Sequence, residues 1–146
     1  MRDLIRGGVV TNDPYIEQAS RSIGLAVTRD TIRGWRLFRL RQNCPLTAAI
    51  LGDRFPEVVD AIDCDSPFIE ELSRAFLERA MDDELTACVA RFELAMMSDG
   101  ETIVDWPCDP YEVLAPLLRG ERPDALERAP HRTLVSRTMA GRFRII

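Results

Sequence analysis

The stretch Glu101-Thr102-Ile103-Val104-Asp105-Trp106 marks the point where this chain changes its period. Up to about residue 98 the apolar residues recur at helical spacing, whereas this stretch is rich in β-branched and aromatic residues and ends at Pro107, which is typical of a short strand. Residues 132–139 and 142–146 have the same character and flank Ala140-Gly141, a candidate tight hairpin turn. The pattern predicts an α+β protein, a mainly α-helical bundle with a small C-terminal antiparallel β-sheet.

Two regions follow from this change of period. Residues 1–98 are predicted to form the helical bundle, and residues 99–146 a small region of strands with one helix; the two also fit one compact unit. A chain of 146 residues buries roughly 68 to 70% of its unfolded surface, enough to fold without disulfides or metals.

Capping and breaking residues divide the bundle into successive helices. Their predicted bounds are 13–27, 30–42, 46–51, 55–62, 67–81 and 83–98, and a last helix covers 110–119. Their apolar stripes are expected to be core, and Trp35 and Phe68 belong to those stripes. Pro116 removes an interior hydrogen bond from the last helix and predicts a kink or an early stop there.

The composition leaves few residues for chemistry. His131 is the single histidine of the chain and the acids are scattered, so general bases and metal ligands are scarce. The four cysteines, at positions 44, 64, 88 and 108, form no Cys-x-x-Cys pair. We interpret them as reduced, mostly buried apolar residues. We therefore expect no catalytic residue, no metal ligand and no cofactor in this chain.

The sequence also lacks the marks of a membrane or secreted protein. No run of about 18 apolar residues occurs, which a membrane-spanning helix requires. The first residues, MRDLIRGG, do not form the apolar stretch of a signal peptide. We therefore expect a cytoplasmic protein.

Charge is distributed unevenly along the chain, although the net charge is only −5. Acids outnumber bases heavily over residues 57–84, a block that repels nucleic acid. All 19 basic residues are arginine, and they gather in residues 29–41 and in the tail after residue 127. The tail is the expected docking surface for an acidic partner, with a merely solvated face as the alternative.

The last predicted strand alternates basic and apolar residues. Phe143 and Ile145 are expected to point inward, and Arg142 and Arg144 outward. An edge strand presents unpaired N–H and C=O groups that can pair with an extended peptide, and outward arginines favour an acidic one. The same charges also protect an edge from unwanted pairing, so the sequence leaves both interpretations open.

Strand position and charge supply the candidate site residues. The candidates for peptide binding are Arg132, Leu134, Ser136, Arg142 and Arg144. The candidates for contact with a partner protein are Trp106, Tyr111 and His131. Trp106 fits an aromatic anchor and a lid on the core about equally well.

Several motifs of the helical region resemble one known family. They are Arg39-Leu40-Arg41-Gln42-Asn43, Gly52 followed by Phe55-Pro56-Glu57-Val58-Val59, Phe68 with Phe76-Leu77, and Ala90-Arg91-Phe92-Glu93-Leu94-Ala95. Over about residues 35–120 the chain resembles the HvfC/MbnC/TglI-like family of helical proteins, the partners of multi-iron TIM-barrel oxidases that modify peptides.

The resemblance implies a non-catalytic accessory subunit in the biosynthesis of ribosomally made peptide natural products. Such a subunit forms a heterodimer with the oxidase, binds the leader of a precursor peptide on its C-terminal sheet, here residues 99–146, and presents the peptide for cysteine modification. The iron then belongs to the partner enzyme, and the basic tail of this chain suits an acidic leader.

Other functions stay open from the sequence. A nucleic-acid-binding module is opposed by the acidic block and by the isoelectric point near 5.0. An enzyme or metal carrier that uses the cysteines and an unrelated helical adaptor are the remaining alternatives.

Overall fold

A computed structural model of the chain describes residues 23–139 and 141–146. The chain divides into two compact units, residues 1–39 and residues 40–146. The predicted helix over residues 13–27 lies mostly outside the described residues. No helix within the described part is long and apolar enough to cross a membrane.

Helix α1 spans Ile23–Asn43 without the break that the sequence suggested near residue 28. The hydroxyls of Thr28 and Thr31 donate to carbonyls one turn earlier, at 3.0 and 2.9 Å, so these β-branched residues fit the helix. The placement of Trp35 in the core is wrong, because its side chain is 44% exposed. Helical spacing tells which residues share a face, but not whether another element covers that face.

The other elements confirm the α+β, mainly helical class with a small antiparallel sheet. They are α2 (Pro45–Leu51), a 3-10 turn (Gly52–Arg54), α3 (Phe55–Asp60), α4 (Ile69–Arg79), α5 (Glu84–Met97), β1 (Glu101–Trp106), α6 (Pro110–Leu118), β2 (His131–Ser136) and β3 (Phe143–Ile145).

Local signals set the helix ends. The carboxylate of Asp83 accepts hydrogen bonds from the Thr86 N–H and hydroxyl at 2.9 and 2.7 Å, and Asp109 accepts one from the Tyr111 N–H at 2.9 Å. Gly52 follows α2 with a φ of 57°, a value that glycine adopts without strain. Helix α6 contains Pro116 and ends two residues after it, at Leu118, so the proline does not stop the helix before its own position.

The main core cluster lies between the sheet and helices α2, α5 and α6. Its buried members are Leu46, Ile50, Cys88, Val89, Phe92, Ala95, Val104, Trp106, Cys108, Val113, Leu114, Leu117 and Val135. A second buried group joins α3 to α4, where the rings of Phe55 and Phe76 meet edge to face at 5.5 Å. Phe68, predicted to be buried, is exposed because it is the extended N-cap residue of α4 and lies off the helical stripe.

The sheet has the strand order β1-β2-β3, with both pairs antiparallel. Strand β2 ends at Ser136, three residues before the predicted end at 139, so the tight turn predicted at Ala140-Gly141 is replaced by a longer connection. In that connection Gly141 and Arg142 both have positive φ, 76° and 65°. These two left-handed residues delay the start of β3 to Phe143.

A buried carboxylate caps helix α2 from another helix. Glu93 of α5 is 6% exposed, and its two oxygens accept hydrogen bonds from the N–H groups of Leu46 and Thr47 at 2.8 and 2.9 Å. These N–H groups belong to the first turn of α2 and have no partner within the helix. Burial raises the pKa of Glu93 to about 7, although the hydrogen bonds from α2 act in the opposite direction.

Glu93 should make the fold less stable as the pH rises. Its pKa is about 7 in the folded chain against an ordinary value of 4.5, so between these values the folded state holds a proton that the unfolded state has lost. The free energy of unfolding therefore falls as the pH rises through this window. Urea unfolding at about pH 5 and about pH 8 should show a larger loss for the wild type than for Glu93→Gln. An equal loss in both proteins would contradict this assignment.

Candidate functional site

The helix-facing side of the sheet is closed by Trp106. Its side chain is 2% exposed, its indole N–H donates to the Thr133 hydroxyl at 3.0 Å, and its ring meets Phe92 at 5.9 Å between centroids. Trp106 is thus the lid on the core that the sequence left as one alternative. The assignment of Trp106 to a partner interface is corrected, because a buried ring offers no surface to a partner.

An aromatic chain leads from this core to the surface beside β3. The ring of Phe92 contacts Phe143 at 5.1 Å, and Phe143 contacts Tyr111 at 5.4 Å. Tyr111 is 53% exposed. The predicted interface residue Tyr111 therefore stands next to the edge strand, with one part of its ring packed and the other open to solvent.

Strand β2 is the central strand, which changes the role of three candidate residues. Arg132, Leu134 and Ser136 lie on it, between β1 and β3, so their backbone is already used within the sheet. The Arg132 guanidinium donates from Nε to Asp105 Oδ1 at 2.6 Å, and Ser136 is buried. The backbone of these residues cannot pair with an added strand, because β2 already has a neighbour on each side. The sequence suggested otherwise, since it does not reveal which strand is central.

Strand β3 is an edge of the sheet and pairs with β2 alone among the residues that the structure describes. The Ser136 N–H donates to the Arg142 carbonyl at 2.8 Å, and the Ile146 N–H donates to the Arg132 carbonyl at 2.9 Å. In antiparallel pairing, residues that bond to the neighbouring strand alternate with residues whose N–H and C=O point away from it. The backbone groups of Phe143 and Ile145 therefore point away from β2, toward the open side.

The opposite edge, on β1, is partly closed. The same alternation turns the backbone of Ile103 and Asp105 away from β2. The Asp105 carbonyl, however, accepts a hydrogen bond from the Cys88 thiol of α5 at 3.2 Å. A peptide that paired along β1 would have to displace this contact, whereas no such contact among the described residues closes β3.

Arg142 and Arg144 carry the positive charge of this edge. Both are exposed, and none of the ion pairs among the described residues includes them. Arg132, by contrast, pairs with Asp105. Arg144 on β3 therefore offers a guanidinium to an incoming carboxylate without loss of an existing partner.

His131 lies at the other end of the sheet, in an open groove of about 520 Å³ that Pro130, Arg132 and Ile146 also line. It is half-buried, and its Nδ1 contacts the Ala129 carbonyl. This contact holds the imidazole against the segment that precedes β2. His131 thus borders the site, but its ring nitrogen already has a partner in the chain.

Three of the four thiols are poor nucleophiles in this fold. Cys44, Cys88 and Cys108 are buried, as predicted, and none of the three forms a disulfide. Burial raises the pKa of all three, to about 12 for Cys44, which disfavours the reactive thiolate. Among residues 23–139 and 141–146, no group of three or more His, Cys, Asp or Glu side chains could hold a metal ion.

Comparison of the chain with protein-family models, with curated proteins and with solved structures gives no match. The family resemblance described above thus rests on its motifs, and the functional interpretation rests on the geometry of the sheet.

Sequence reasoning missed that the backbone groups of two residues, Phe143 and Ile145, point away from the sheet. Phe143 and Ile145 share the helix-facing side of the sheet with Val135 and Thr133, as the inward direction predicted, but Phe143 is only half-buried and Ile145 is 41% exposed. Their main value to a site is the outward N–H and C=O groups. No local signal could have shown this, because the direction of these backbone groups depends on how β3 pairs with β2.

Removal of the Thr133 hydroxyl should destabilise the fold by about 1–3 kcal/mol, because the buried indole N–H of Trp106 then has no partner. Thr133→Val keeps the shape of the side chain and removes the hydroxyl, which accepts from the indole and also donates to the Val104 carbonyl at 3.4 Å. The free energy of unfolding in urea, followed by circular dichroism, measures the loss.

Thr102→Val on the exposed surface of β1 is the matched control, with an expected change within about 0.5 kcal/mol. In a Trp106→Phe background, Thr133→Val should cost clearly less. The same cost in both backgrounds would mean that the hydroxyl does not act through the indole.

Proposed function

We propose that this chain is a non-catalytic partner subunit that binds an extended, acidic peptide along β3 and presents it to a multi-iron TIM-barrel oxidase. The peptide would be the leader of a ribosomally made precursor whose cysteine is modified by the oxidase. The iron and the reacting groups would belong to the oxidase.

The outward backbone of β3 is the observation that carries the peptide-binding part. Phe143 and Ile145 each direct one N–H and one C=O away from the sheet, and a bound peptide can satisfy them as a fourth strand. Recognition by strand addition obtains its affinity from such main-chain hydrogen bonds. The Cys88 contact to the Asp105 carbonyl favours β3 over β1 as the edge that is used.

The charges of the edge support an acidic peptide. Arg142 and Arg144 are exposed at β3 and unpaired among the described residues, and arginine forms forked contacts with carboxylates. The acidic block at residues 57–84 disfavours nucleic acid as the partner.

The oxidase part of the proposal rests on the family resemblance and on the scarcity of reactive groups. The single histidine contacts the Ala129 carbonyl, and three of the four thiols are buried with raised pKa values. A chain with these properties suits a role in positioning a substrate for another protein's chemistry.

Charge reversal at the edge should weaken peptide binding. We expect Arg142→Glu/Arg144→Glu to bind an acidic peptide of alternating threonine and glutamate about tenfold more weakly, since two attractive contacts become repulsive. An NMR titration of the isotope-labelled full chain detects weak binding and shows which backbone amides respond.

The matched control is Arg79→Glu/Arg91→Glu, which changes the net charge equally at exposed positions of α4 and α5. Circular dichroism checks that both variants are folded. Equal affinity in the two double variants would show that net charge, rather than the β3 edge, governs binding.

A second prediction concerns the partner protein. Affinity capture from the native host with the full chain as bait should retain an iron-containing TIM-barrel protein, identified by mass spectrometry and metal analysis of the eluate. An oxidase that acts equally well on its peptide with and without this chain would argue against the partner role.

A further inference from the structure

We infer that the peptide bound at β3 alternates apolar and acidic residues: one acidic residue beside Arg144, with an apolar residue on each side of it. This inference rests on the proposed binding of a peptide to β3 and specifies its sequence pattern. It follows from the two different faces that β3 offers to a neighbouring strand.

Residues directly opposite each other on paired strands place their side chains on the same face of the sheet. A peptide residue opposite Arg144 therefore projects to the outer face, where Ile103 and Leu134 lie in the same cross-strand row as Arg144. Its two neighbours, opposite Phe143 and Ile145, project to the helix-facing side.

The helix-facing side of β3 is apolar and incompletely covered. Tyr111 stands beside Phe143 with its ring 53% exposed, and Ile145 is 41% exposed. An apolar peptide side chain opposite Phe143 would lie against the Tyr111 ring. The contact would remove apolar surface of the ring and of the peptide side chain from water. An apolar peptide side chain opposite Ile145 would likewise cover the exposed part of the isoleucine. Burial of apolar surface of this kind favours aliphatic or aromatic peptide residues at both positions.

The outer side provides one cation at a defined strand position. Arg144 has no ion-pair partner among the described residues, whereas Arg132, on the same face, is bound to Asp105 at 2.6 Å. Arg142 has a left-handed φ of 65° and lies before the strand. The acidic preference is therefore strongest at the peptide position opposite Arg144.

Two capped peptides of identical composition test the pattern. The first is Ser-Thr-Val-Glu-Val-Thr-Ser, in which the valines and the glutamate lie on opposite faces. The second is Ser-Val-Thr-Glu-Thr-Val-Ser, in which they share a face. Both sequences are palindromic, so parallel and antiparallel pairing give the same arrangement. NMR titration of the full chain should show about five- to tenfold tighter binding of the first peptide.

Variants at the two faces complete the test. Tyr111→Ser should abolish most of the preference for the first peptide, and Tyr111→Phe should keep it, because the ring and not the hydroxyl makes the apolar contact. With Arg144→Glu, replacement of the peptide glutamate by lysine should strengthen binding, the reverse of its effect on the wild type.

The outcomes separate this inference from the proposed function. A dissociation constant of about 1 mM corresponds to only about −4 kcal/mol. If neither peptide shifts the amide signals of β3 at concentrations up to about that scale, the proposed peptide binding itself fails. If both peptides bind at β3 with equal affinity, or if Tyr111→Ser weakens both equally, the edge binds peptides but the alternating pattern is overturned.

Discussion

The burial of the Trp106 indole holds the sheet to the helical body. Burial of a tryptophan is costly unless its N–H finds an acceptor, and the Thr133 hydroxyl on the next strand supplies one at 3.0 Å. The same ring meets Phe92 of α5 at 5.9 Å. One side chain thus joins β1 to β2 by a hydrogen bond and joins β1 to α5 by packing. Strand β3 is then placed by its pairing with β2 and by the contacts of Phe143.

This arrangement decides which backbone groups are left for recognition. Strand β2 is paired on both sides, and the Cys88 thiol of α5 occupies the Asp105 carbonyl on the outer side of β1. Within the described part of the chain, strand β3 is held by its pairing with β2 and by the contacts of Phe143 with Phe92 and Tyr111. The β3 edge also has the exposed ring of Tyr111 on its helix-facing side. Backbone pairing and side-chain selection can act at the same place.

Local signals in the sequence were sufficient for the class of fold but not for the site. The run of β-branched residues before Pro107 predicted β1 with the bounds that the structure shows, since these signals act within a few residues. The burial of Trp106, the exposure of Trp35 and the central place of β2 depend on contacts between distant segments, which period and composition do not contain. Glu93 shows the same limit, because it caps a helix 47 residues away in sequence.

Under the proposed function, the shortness of β3 favours a second protein surface that contacts the same peptide. Only Phe143 and Ile145 direct backbone groups outward, and a hydrogen bond contributes about 0.5–1.5 kcal/mol net. Association of a free peptide costs about 4 kcal/mol or more in lost translation, rotation and ordering. The edge and the contacts at Tyr111 and Arg144 would therefore hold a peptide weakly by themselves. A second surface that contacts the same peptide, such as an enzyme bound beside β3, would raise its effective concentration and strengthen binding without further contacts on this chain.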